Sequence, residues 1–342
     1  MAVNVTDNLL RLLTAKDKKI LAGQEAVKGL LTEVKRQIVE ELQHVAGESY
    51  SAYHLKQNLA SIERHLAQFE SLAGREVGSL LEATWDDGVD LLPEATKGSG
   101  LFFSFGHIPT SVLQTLKDYS FHKISGLTSD AFGKIRGELS LGILGQKTPW
   151  QVQQAIAGGL DSPGVFKSIE ERAWVITGTE MGRAFSTSTQ AGMAAAAQSV
   201  PDLKKQWWHA GHPKMPRQNH LLLHGQVQPV DKPFLLGSLS IMFPRDPKAP
   251  ASEVIRCGCD HVPYMEAWGR DKLPLFNERG QEIARRGPRT GREEDLTGKF
   301  QKGQVGRNRD DARPVTVEVG DNFKPGAKEI PRPKVGKGAK KP

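Results

Sequence analysis

The chain has 342 residues, 38% of them hydrophobic and 25% charged, with two cysteines and a net charge of +7. That composition suits a folded protein with some disordered length, and it excludes a disulfide framework. It also excludes a membrane helix, because no run approaches the roughly 18 uncharged apolar residues one needs.

The N-terminal residues show no basic leader followed by an apolar run, so no secretory signal is expected. Residues 6–95 read as helix. Thr6 can cap a first segment bearing Leu9, Leu10, Leu12 and Leu13. A second places Val27, Leu30, Leu31, Val34, Ile38, Leu42 and Val45 on one face by steps of three and four. A third does the same with Leu55, Leu59, Ile62, Leu66 and Phe69. Such stripes serve as core or as a docking face for a partner.

A Gly-rich loop over 94–111 carries Phe102, Phe103 and Phe105 and reads as a boundary or a docking loop. Helices resume near 110. In "KTPWQVQQAIAGG", Thr148 stands at an N-cap, Pro149 at the first helical position and Gln151 where it closes a capping box. "DSPGVFKSIEERAW" repeats the device with Ser162 and Pro163. A long helix then runs through "WVITGTEMGRAFSTSTQAGMAAAA".

The texture changes near 201. "LKKQWW", "QVQPV", "LSIMF" and "EVIRCGC" read as short strands, and "PRQNHLLLHG" as one or two helical turns ended by Gly225. The expected fold class is α+β. It comprises a helical arm (1–95), a helical region (96–200), a compact α+β module (201–268) and a basic, largely disordered tail (269–342).

The charge is uneven. Residues 270–342 hold 19 Lys+Arg against 11 Asp+Glu, an excess of 8, and the remainder of the chain is close to neutral. A basic tail is an electrostatic handle for a polyanion, with Arg285, Arg286, Arg289, Lys337, Lys340 and Lys341 as the expected DNA contacts.

Both cysteines stand in "EVIRCGCDHVPY", as Cys257 and Cys259. On a strand, residues two apart face one side about 7 Å apart, too far for a disulfide. Three readings stay open. The pair can bind zinc with His220, the other nitrogen candidates being His209, His212, His224 and His261. A thiol can act as nucleophile beside His220, or His220, Cys257 and Cys259 can serve a metal-dependent nuclease. The thiols can simply pack as small apolar groups. The H-x-E and P-C-x-x-C motifs of zinc deaminases are absent.

In order, Arg217, His220, Gly225, Pro244, Asp246, Pro247, Glu253, Cys257 and Cys259 resemble the C-terminal module of the phage Mu F-like minor head proteins. Upstream, "GILGQKTPWQVQQAI" and "ITGTEMGRA", with Thr179 and Glu180, are similar to that family's capped helix and Thr-Glu segment. The similarity spans roughly 125–262. It departs where the family has an Asp before R-x-x-H, near His212, and an Arg between the cysteines, here Gly258. The resemblance implies a non-enzymatic minor capsid protein of the virion head. It would be made in the host cytoplasm and act with the portal protein and the major capsid or scaffold protein. It would contact packaged DNA and no membrane. Arg217, His220, Glu253, Cys257 and Cys259 would be its signature.

Overall fold

The computed structural model describes residues 5–43, 52–99, 103, 108–148, 150–152, 155–156, 169–209, 217–236, 238–271, 285–286 and 293–294. The fold is α+β. It divides into two compact units, one of residues 1–196 with 250–256, the other of 197–249 with 257–342.

The first unit is helical. Helix α1 (Val5–Gln43) runs unbroken through both leucine segments. Thr6 therefore lies inside the helix, buried and with no hydrogen-bond partner for its hydroxyl among the described residues, rather than as the expected cap on a shorter segment. Gly23 and Gly29 both stand within this helix, and at Gly23 a Cβ would meet Leu80 and Met181 at 2.8–2.9 Å. Helix α2 (Ala52–Val89) leads to the short α3 (Leu91–Ala95). Helix α4 (Ser111–Ile143) and helix α5 (Ile169–Ala197) follow.

The stripes seen in the sequence meet in one core. Val27, Leu31, Val34, Ile38 and Leu42 of α1 pack with Ile62, Leu66, Phe69, Ala73, Val77, Leu81 and Trp85 of α2. Ile124, Leu127, Ala131 and Ile135 of α4 complete the cluster with Val152, Ile156, Ile169 and Ala173. Leu30 and Leu59 pack on its margin. Residues 1–95 and 96–200 thus share a single core. The capping box is formed: Thr148 N–H donates to Gln151 Oε1 at 2.8 Å, and Gln151 N–H returns a bond to Thr148 Oγ1 at 3.2 Å. Val45, Leu55, Phe102, Phe105, Ser162 and Pro163 lie outside the described residues or side chains.

Helix α5 is buried on nearly every side, which its small Gly, Ala, Ser and Thr side chains allow. Gln24 Nε2 donates to the Trp174 carbonyl at 2.9 Å, and Thr189 Oγ1 donates to the Gly88 carbonyl at 3.2 Å. Glu180 and Arg183 form an ion pair inside this unit, 3% and 7% exposed. Burial holds the Glu180 carboxyl above its ordinary value, against the opposing pull of Arg183 and Lys123.

The second unit is built on an antiparallel sheet ordered β2 (Val227–Pro229), β1 (Lys204–His209), β5 (Cys259–Tyr264). Central β1 is covered on both faces from Lys205 to His209. Its partner β5 is buried throughout. Helix α6 (Gln218–Leu223) follows β1 and ends at Gly225, whose φ of 83° a side chain would resist. A hairpin of β3 (Phe234–Leu236) and β4 (Leu239–Ile241) adds a second ladder. Phe234–Leu236 is a strand the sequence reading did not identify.

The expected strand over "EVIRCGC" is corrected. Ala251–Val254 form a helical turn, α7, that belongs to the first unit, where Arg256 pairs with Glu171. The strand begins only at Cys259. Arg256 has φ 56°, so the chain turns before Cys257 and the two thiols do not share a strand face.

A 3₁₀ segment covers Glu266–Asp271. Beyond it, β6 (Arg285–Arg286) pairs antiparallel with β7 (Glu293–Glu294), setting Arg285 opposite Glu294 and Arg286 opposite Glu293. The expected contacts Arg289, Lys337, Lys340 and Lys341 lie outside the described residues.

Candidate metal centre

Three elements of the second unit bring the site together. Residue 220 sits on the buried side of α6, Cys259 opens β5, and Cys257 occupies the turn between. His220 Nδ1 stands 3.5 Å from Cys257 Sγ and 3.5 Å from Cys259 Sγ. All three ligand atoms lie within 4.8 Å of one another, and each residue is buried. Both thiols are free. In sequence, 37 and 39 residues separate the two cysteines from His220.

The surroundings fix these groups. Trp207 of β1 sets its ring edge against His220 at 5.7 Å and against Phe234 at 5.3 Å. Trp207, Leu223, Phe234, Leu236 and Ile241 enclose both cysteines in one apolar cluster. Cys259 pairs with His209 across the β1–β5 ladder. His209 N–H donates to His224 Nδ1 at 3.0 Å, which makes that nitrogen the unprotonated one and removes it from metal chemistry. Cys259 N–H reaches back to Cys257 Sγ at 3.5 Å.

Arg245 is the residue that sequence reasoning missed. It adopts φ 65° and is 4% exposed. Its Nε donates to the Cys257 carbonyl at 3.0 Å, and its Nη1 contacts Asp260 Oδ1 at 3.4 Å. The guanidinium therefore grips both sides of the C-x-C turn. Its neighbour Asp246, also buried, accepts from Met242 N–H and Lys248 N–H at 2.9 Å each and so builds the Pro-rich turn. The "FPRDPK" segment announced a turn, but nothing in it announced an inward-pointing arginine.

The electrostatics favour one thiolate. A hydrogen bond from Cys259 holds the Cys257 thiol well below its ordinary value against burial, with His220 and Arg245 acting the same way. Burial, and then the hydrogen bond with Cys257 and its charge, push Cys259 up. His261 is fully buried and stacks on Phe243 at 5.7 Å. Burial, with Lys205 and Arg245 nearby, lowers it well below its ordinary value and keeps it neutral. Neither of its ring nitrogens has a hydrogen-bond partner among the described residues.

The remaining expected site residues are placed as follows. Arg217 stands at the start of α6 in extended conformation, and its carbonyl accepts from Leu221 N–H at 3.1 Å. Glu253 lies on α7 in the first unit, separate from the metal-ligand group. His212 lies outside the described residues. Among the described residues no other His, Cys, Asp or Glu joins His220, Cys257 and Cys259.

A stretch of 118 residues of the chain is 37% identical to the uncharacterized protein YqbB of Bacillus subtilis (strain 168). It covers 34% of this chain and 37% of that protein, so the chain spans little more than a third of the relative's length. No family model matches the chain, and no solved structure matches it.

Proposed function

We propose that the chain is a phage minor head protein that acts in virion head morphogenesis at the portal vertex. The observation that carries this reading is that three members of the ordered signature, His220, Cys257 and Cys259, come together. His220, Cys257 and Cys259, with Arg245 and Asp246 from the Pro-rich turn between them, build one buried knot in a small module. His220, Asp246, Cys257 and Cys259 follow the order of the Mu F-like minor head proteins, which the chain resembles. Long helices supply surfaces for the portal protein and for the major capsid or scaffold protein. The basic stretch beyond 269 supplies charge for packaged DNA. The protein would then be a resident of the virion head, made in the host cytoplasm.

The knot is read as structural rather than as a nuclease centre. His220, Cys257 and Cys259 are 3%, 7% and 1% exposed, and a scissile phosphate needs water and access. The test is to delete the reading frame from a phage that carries it and image the heads. Purified wild-type particles should contain the chain by quantitative mass spectrometry. The deletion should leave aberrant or DNA-poor heads, rescued by the chain in trans. Normal heads in the deletion, or wild-type particles lacking the chain, would overturn the reading.

A further inference from the structure

We propose that His220 Nδ1, Cys257 Sγ and Cys259 Sγ bind one Zn²⁺ ion, which staples the 257–259 turn to helix α6. The proposal stands independently of the head-protein reading.

The two nitrogen–sulfur distances are those of a zinc tetrahedron. Zn–S bonds of about 2.3 Å and Zn–N bonds of about 2.0 Å at tetrahedral angles set nitrogen and sulfur about 3.5 Å apart and two sulfurs about 3.8 Å apart. Both observed nitrogen–sulfur separations are 3.5 Å, and all three atoms fall within 4.8 Å. Thiol–imidazole hydrogen bonding explains this less well. The Nδ1 lone pair lies in the ring plane and accepts one S–H well, whereas here two sulfurs stand at the same distance from it. A cation between them satisfies all three groups at once.

Two further features fit a thiolate–metal centre. The Cys259 N–H reaches Cys257 Sγ at 3.5 Å, the outer-shell contact that steadies a ligating sulfur. Arg245 Nε holds the Cys257 carbonyl at 3.0 Å, so the turn is fixed by bonds other than the metal's. Charge agrees as well. Two thiolates and a neutral imidazole cancel Zn²⁺, so the buried cluster has no net charge to desolvate. Soft sulfur donors select zinc over magnesium or calcium. No fourth His, Cys, Asp or Glu joins among the described residues.

The experiment uses the full chain, purified under reducing conditions without chelator. Elemental analysis should give one zinc per chain. After chelation, Co²⁺ should restore binding, with thiolate-to-cobalt charge-transfer absorption and the d–d bands of a four-coordinate ion, and zinc should displace it. The Cys257→Ser/Cys259→Ser double variant should lose both signals, whereas His220→Cys should keep the metal with a third thiolate. For zinc a thousandfold above its Kd, chelation should lower the melting temperature of a domain this small by about 15 °C. Metal-free protein that melts unchanged with chelator and shows no cobalt charge transfer would overturn the proposal. Iron or copper at one per chain would overturn the assignment to zinc.

Discussion

Replacing Gly88 by alanine sets two effects of opposite sign against each other. Within an exposed helix the change stabilises by about 1 kcal/mol, because glycine loses more backbone entropy on folding. At Gly88 on α2, however, an added Cβ would stand 2.0 Å from Ser188 Oγ, 2.5 Å from the Phe185 carbonyl oxygen and 3.0 Å from Thr189 Oγ1. The serine hydroxyl can rotate away. The Phe185 carbonyl is backbone of the buried α5, and it moves only if the two helices separate. Overpacking of this kind costs about 1–3 kcal/mol, and a backbone clash belongs at the upper end. The net expectation is a loss of about 2 kcal/mol. At about 2–4 °C per kcal/mol for a unit of this size, the melting temperature should fall by about 4–8 °C. Gly133→Ala on α4 is the control, since nothing lies within 4 Å of its Cβ position. It should raise the melting temperature by about 2–4 °C. Adding Ser188→Ala to Gly88→Ala should recover only part of the loss, because the carbonyl contact remains. The assay is calorimetry on the full chain. Equal shifts for Gly88→Ala and Gly133→Ala, or stabilisation by Gly88→Ala, would refute the close α2–α5 approach.

Asp246→Ala removes two charge-assisted bonds, to Met242 N–H and Lys248 N–H, from a residue only 4% exposed. Destabilisation by about 2–4 kcal/mol is expected in denaturant titration, and a loss under 0.5 kcal/mol would contradict the described turn. Lys205 donates to the Met242 carbonyl at 2.7 Å and lies over the Phe234 ring, and burial lowers its pKa to about 8. Between pH 8 and the unfolded lysine value near 10.4 the unfolded chain holds more protons, so this residue makes stability rise with pH there. Lys205→Met should remove that rise, and identical pH profiles for the two proteins would exclude the desolvated amine. Duplex DNA binding by the full chain should weaken steeply with salt and show no sequence preference. Deleting 270–342 should flatten the slope, and an unchanged slope would make the tail a solubiliser only.

Local chemistry was legible in the sequence wherever the determinants are a few residues apart. The Thr148–Gln151 capping box formed because its donors and acceptors belong to one helical turn. The stripes of α1 and α2 are buried because a 3.6-residue period aligns Val27, Leu31, Val34 and Ile38 whatever they pack against. The same holds for Gly225, placed where a short helix must end with positive φ. The shared core of the helical unit and the site itself were decided by tertiary structure. Strand alternation made "EVIRCGC" look extended. The left-handed turn at Arg256, with the Arg245 grip on the Cys257 carbonyl, bends it instead and brings both sulfurs within 3.5 Å of one imidazole nitrogen. Nothing in the charge of Arg245 or Lys205 marks either as buried. Each is held there by a carbonyl on another segment, at Cys257 and Met242, and that pairing exists only once the chain has closed.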